Sequence, residues 1–147
     1  MKQKYFLTFL LSSLTLALFS QARGSIAFTA LNVDGDDDFA IVALADIPAN
    51  TTIYFTDYEW DEGGTTFTET GTDGFLDWNT GSNIIKAGTI VVFTDIDNSS
   101  NTDYGASIGT LTSPENVALL ATGETFFAYV GTDKDTPTTF ITGIKNS

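Results

Sequence analysis

Residues 34–57 read DGDDDFAIVALADIPANTTIYFTD, and the fold class turns on them. An acidic turn leads into a nearly unbroken apolar run, Phe39–Ile47. Phe39, Ile41, Ala43 and Ala45 alternate onto one face; Ala40, Val42 and Leu44 alternate onto the other. Both faces are apolar, which predicts a central strand covered on both sides. A helix competes on composition alone, but the run is short and closes on Ile47-Pro48, and a residue before proline avoids helical geometry. Thr51–Asp57 is β-branched and aromatic, as half-buried strands are. Pro48-Ala49-Asn50 then predicts a turn that pairs the two strands.

The turn itself holds Asp34, Asp36, Asp37 and Asp38. Carboxylates at that density repel unless a cation or water separates them. Asp34, Asp36 and Asp38 have the alternation of the first half of a calcium loop. Phe39 and Ala45 then stand where an EF-hand needs Gly and Glu, so the motif is not an EF-hand. Two readings stay open: an irregular Ca²⁺ site, or a solvated acidic turn.

The chain begins like an export signal. Lys2 and Lys4 precede an apolar run, Phe6–Phe19, and Ser20-Gln21-Ala22 supplies small residues for cleavage after Ala22. The run is short for a membrane span, which needs about 20 residues. Cleavage would remove 22 of 147 residues and two of six basic ones, leaving four against 19 acidic residues. Residues 23–147 then form one domain, secreted and with no membrane span. Its charge disfavours nucleic acid, whose phosphates need clustered Lys and Arg. There is no cysteine, so stability in an oxidising compartment rests on the core, and this leans towards a bacterial extracellular protein. There is no histidine either, which excludes Ser-His-Asp catalysis and His-liganded zinc.

Strand signals recur along the rest of the chain, at Ser25–Leu31, Gly74–Asn79, Thr89–Thr94, Asn116–Ala121, Glu124–Val130 and Phe140–Ile144. Thr65–Thr70 reads as a short edge strand, and Gly123-Glu124 as a hairpin turn. With turn signals between them and no amphipathic helix, the pattern is that of an all-β antiparallel sandwich. The phrases Ile53-Tyr54-Phe55-Thr56-Asp57 and Val91-Val92-Phe93-Thr94-Asp95 are similar. They mark equivalent sheet positions, a faint duplication, or simply two strands that each end in an Asp turn.

Three stretches resemble the lamin-tail-like domains of bacterial secreted and surface proteins: Asp38–Leu44, Ile53–Asp57 followed by Trp60, and Ile85–Phe93. Gly123–Tyr129 suits that family's final hairpin. The usual acidic-then-apolar phrase before the first strand is altered here to Phe39-Ala40-Ile41-Val42. The resemblance implies an immunoglobulin-like β-sandwich used as an accessory module, with no catalytic residues to carry over. The chain stops soon after its last strand, as a short relative or a piece truncated at its C-terminal end would.

The resulting expectation is a non-catalytic module for extracellular binding, adhesion or surface association. Its partner would be an extracellular protein or a glycan; it requires no cofactor, and Ca²⁺ is the candidate ion. Tyr58, Trp60 and Trp78 are the candidate ligand-binding residues, because such rings offer apolar area with a polar edge. The competing assignment buries both tryptophans over the sheet ends. The alternative function is a carbohydrate-active protein: a sugar-binding module, or a carboxylate glycosidase drawing on Glu59, Asp61, Glu62, Glu69 and Asp77 beside those rings.

Overall fold

The computed structural model describes residues 21–61, 63, 66–68, 73–119 and 122–145. The expected signal peptide, Met1–Ala22, lies outside the described residues except for Gln21 and Ala22, as do Glu62 and Glu69.

Among the described residues every regular element is a strand. Strands β1 (Ile26–Asn32), β2 (Asp38–Ala43), β7 (Ile90–Thr94) and β8 (Gly105–Ala106) form one antiparallel sheet in that order. A second sheet has the order β11 (Thr136–Lys145), β10 (Thr125–Asp133), β3 (Thr52–Thr56), β6 (Phe75–Asn79) and β9 (Thr110–Glu115). The two sheets face each other across a shared core, a sandwich-like arrangement. Phe39 and Phe93 of the first sheet stack at 4.3 Å, and both meet Phe55 of the second, at 4.9 and 5.2 Å. A short ribbon, β4 (Glu59–Trp60) with β5 (Phe67–Thr68), accompanies a second aromatic cluster of Tyr58, Phe75 and Tyr129 with Tyr54, Phe67 and Phe140.

The pairing of the two decisive strands differs from the sequence expectation. β2 pairs with β1 and β7, whereas β3 pairs with β10 and β6. Pro48-Ala49-Asn50 is therefore a crossover between sheets and not a hairpin turn. Asn50 takes a left-handed φ of 56°, and the Ile47 and Ile85 backbones exchange hydrogen bonds of 2.8 and 3.0 Å between the sheets. The apolar run also ends earlier than expected, at Ala43. Its outer face is incompletely covered, with Val42 half-buried and Leu44 57% exposed.

The likeness of the two Asp-ending phrases has a structural counterpart. In the first sheet Phe93 and Val91 pair with Phe39 and Ile41; in the second, Phe55 and Ile53 pair with Leu76 and Trp78. The crossovers reciprocate too. Asn50 donates its amide to the Gly81 carbonyl, and Gly88 donates its own to Ala43, both at 2.7 Å. β2–β3 and β6–β7 are thus matching units, related by an approximate two-fold through the Ile47–Ile85 bridge. Each unit lends its second strand to the other's first.

Two further expectations are corrected. The strand foreseen at Asn116–Ala121 lies earlier, at Thr110–Glu115; residues 116–119 form no strand, and Leu120 and Ala121 lie outside the described residues. Pro114 is tolerated because β9 is an edge strand, where a missing amide breaks no ladder. Gly123-Glu124 does not close a hairpin. β10 instead turns into β11 through Lys134-Asp135, with Asp133 opposite Thr136.

Candidate metal centre at the acidic end

Strand register sends the acidic segments to one end of the molecule. Asp38 starts β2 beside the end of β7, which runs into Asp95; Thr56 ends β3 beside the starts of β6 and β10. The contacts of Phe39 and Phe93 with Phe55 hold these strand ends together across the core.

The candidate Asp34, Asp36 and Asp38 meet different surroundings. Asp34 and Asp36 are exposed. The Asp34 amide donates to Asn32 Oδ1, and the Asp36 carbonyl accepts from Asn32 Nδ2. The Asp38 carboxylate accepts the Asp95 amide at 3.1 Å and Asn32 Nδ2 at 3.3 Å, so it links the two acidic loops. Asp37, which the alternation set aside, points inward. It is buried, accepts the Leu119 amide at 2.7 Å, and donates its own amide to Asp97 at 3.0 Å. Burial pushes its carboxyl above the usual range against the Leu119 bond, with Asp97, Asp38 and Glu124 adding to the rise. Asp95 is raised by burial and then by Asp36, Asp103, Asp38 and Asp97, so five carboxylates share this corner.

The tightest carboxylate group among the described residues is a different one. Asp57, Asp73 and Glu124 place one carboxylate oxygen each within 4.8 Å of one another. They come from the end of β3 and from the residues just before β6 and β10. Asp57 is 2% exposed. Its Oδ1 accepts the Gly74 amide at 2.7 Å, while its Oδ2 is buried with no hydrogen-bond partner among the described residues. Burial pushes the Asp57 carboxyl up to about 7, against the pull of the Gly74 amide and its own amide; Glu124 and Asp73 push in the same direction as burial. Gly74 is held close by packing, since a Cβ there would overlap the Asn116 carbonyl. Hard oxygen donors of this kind suit Ca²⁺ or Mg²⁺ and not a soft metal. The sequence did show that β3 ends on an Asp. It held no local signal for Asp73 or Glu124, which reach the site through sheet pairing.

The three aromatic candidates do not share a surface. Trp78 is 0% exposed; its Nε1 donates to the Ile108 carbonyl at 2.8 Å and its ring meets Phe93 at 5.2 Å. It is a core residue with no face for a ligand. Tyr58 is buried, packs on Phe75 at 4.4 Å and donates to Glu115 Oε2 at 3.0 Å. Trp60 is half-buried, edge-on to Phe140 at 4.8 Å and to Phe67 at 5.2 Å. Of the glycosidase acids, Glu59 and Asp61 are exposed. Asp77 is half-buried and raised by burial, with Lys134 pulling it back.

Among the described residues no helix is long and apolar enough to cross a membrane. Comparison with protein-family models, with curated proteins and with solved structures finds no match to this chain.

Proposed function

We propose that this chain is a non-catalytic extracellular association module that works through its acidic end, with an immunoglobulin-like, lamin-tail-like sandwich as scaffold. The observation that carries the reading is the convergence of acidic loops at that end. Loops clustered at one end of a sandwich are the usual place for recognition. Among the described residues the ion pairs are Lys86–Asp46, Lys134–Glu115 and Lys134–Asp135, so the carboxylates of Asp34–Asp38 and Asp95–Asp103 have no cationic partner. An end of that charge repels anionic surfaces. It takes up cations, a basic protein surface, or a glycan bridged by divalent ions.

The test is retention of the labelled, purified chain on arrays of cationic peptides and extracellular glycans. Binding should weaken with salt, because exposed charges are screened within about 10 Å at 0.1 M. It should fall at least about tenfold in an Asp36→Asn/Asp97→Asn double variant, a loss of about 1.4 kcal/mol. Salt-independent binding that survives the double variant would move the working surface elsewhere. Glycan hydrolysis that disappears in Glu59→Gln would replace this reading with a carboxylate glycosidase.

A further inference from the structure

The geometry points to a Ca²⁺ site formed by the carboxylates of Asp57, Asp73 and Glu124, in which the cation ties the end of β3 to the loops that precede β6 and β10. Acidic clusters are common without an ion, and the five carboxylates around Asp95 alone carry no such inference. Asp57 is what separates this group from them. Asp57 is only 2% exposed, and its second oxygen meets no donor among the described residues. A buried carboxylate oxygen left in that state is strongly unfavourable. The same carboxylate places an oxygen within 4.8 Å of an oxygen of Asp73 and of Glu124.

Oxygens on a single Ca²⁺ stand 2.3–2.6 Å from it, so they lie within about twice that distance of each other. The 4.8 Å limit on the three oxygens meets this condition. Three acids, one of them buried and two half-buried, suit Ca²⁺ better than Mg²⁺, which sheds water reluctantly and keeps several waters when bound. A cation here would convert mutual repulsion among three side chains into a cross-link between sequence-distant loops. Gly74 fits that role: its amide already orients Asp57 through Oδ1, leaving Oδ2 for the ion. The site stands independently of what the acidic end binds, since a purely structural ion would use the same ligands.

The experiment is thermal unfolding of the purified chain in EDTA, in millimolar Ca²⁺ and in millimolar Mg²⁺. It is combined with Tb³⁺ luminescence sensitised by Tyr58 and Trp60. Ca²⁺ at about 100 times its Kd should raise the midpoint by roughly 10 °C in a domain of this size, and Mg²⁺ by much less. Asp57→Asn keeps an acceptor for the Gly74 amide and should abolish both the Ca²⁺ shift and the Tb³⁺ signal. Glu124→Gln, in a loop, is the second variant and should weaken both at least about tenfold. Asp36→Asn/Asp38→Asn should leave both intact. No Ca²⁺-selective shift in the unaltered chain overturns the inference. So does a shift that survives Asp57→Asn and Glu124→Gln but is lost in Asp36→Asn/Asp38→Asn, which would place the ion in the outer loops. Neither result touches the association reading, whose own test is binding to the arrays.

Discussion

Asp57 and Asp95 close the same phrase, an apolar strand ending Phe-Thr-Asp, and they occupy matching places in the two units. Their surroundings differ. Asp57 follows a regular strand and is buried beside Asp73 and Glu124, with Gly74 giving up its amide. Asp95 has a left-handed φ of 53°; its amide is held by Asp38, and its carboxylate shares a loop corner with four others. The same local code therefore delivers an aspartate to each strand end. The loops arriving from elsewhere decide whether that aspartate is enclosed by a few ligands or set in a diffuse acidic field. Gly74, just before β6, and Asp37, just before β2, make the difference visible. One brings a bare backbone close to Asp57; the other sends its own carboxylate inward to Leu119.

The largest expected effect separates the two aspartates by pH. Asp57 rests at about 7 in the folded chain against 3.8 when unperturbed. The folded state then holds the proton more tightly than the unfolded state, and stability falls as pH rises between about 4 and 7. The full effect is up to about 4 kcal/mol. Asp37, Asp77 and Asp95 are raised by burial too and act in the same direction, but Asp57 is the one pushed to about 7. Melting points of the chelated protein should drop across that window, with a clearly flatter profile in Asp57→Asn. An unchanged profile in the variant would remove Asp57 as the source.

Next in size is Gly74→Ala. Its new Cβ meets the Asn116 carbonyl, and overpacking of this kind destabilises by about 1–3 kcal/mol. Chemical denaturation should show a lower midpoint at unchanged slope. Wild-type stability would mean that the β6 entry is looser than its packing implies. Asp37→Ala comes third, at about 1–2 kcal/mol, because it strips the acceptor from the buried Leu119 amide. Hydrogen exchange at Leu119 should accelerate, while exchange near Gly74 should not. Smallest is the pair of tryptophans: acrylamide should quench Trp60 and barely reach Trp78, so Trp60→Phe leaves an emission the quencher hardly changes. Strong quenching of that remaining signal would contradict a buried Trp78.

Strand content was legible because alternation and β-branching are local. Phe39, Ile41, Ile53, Phe55, Val91 and Phe93 all face the core at spacings of two. The competing assignment buried both tryptophans over the sheet ends, because large aromatics are usually mostly buried; Trp78 is buried, while Trp60 is only half-buried. Partner choice was not legible. A Pro-containing turn between two strands looks alike whether it closes a hairpin or carries the chain to the opposite sheet. Only the long-range pairing distinguishes the two: β2 joins β1 and β7, while β3 joins β10 and β6. β9 was misplaced because Asn116–Leu119 is more apolar than Thr110–Glu115, yet Val117 and Leu119 are buried from a loop and not from a strand.

By itself, then, the sequence determined an acidic all-β chain without cysteine or histidine, whose two similar strands each end on an aspartate. Those properties depend on residue type and on spacings of two, which act over a few positions. Tertiary structure decided which acids meet. Asp57, Asp73 and Glu124 are far apart along the chain, and only the antiparallel pairing of β3 with β6 and β10 brings their carboxylates together. Burial then does what no spacing can encode: it removes water from one side of Asp57 and leaves an oxygen in need of a partner.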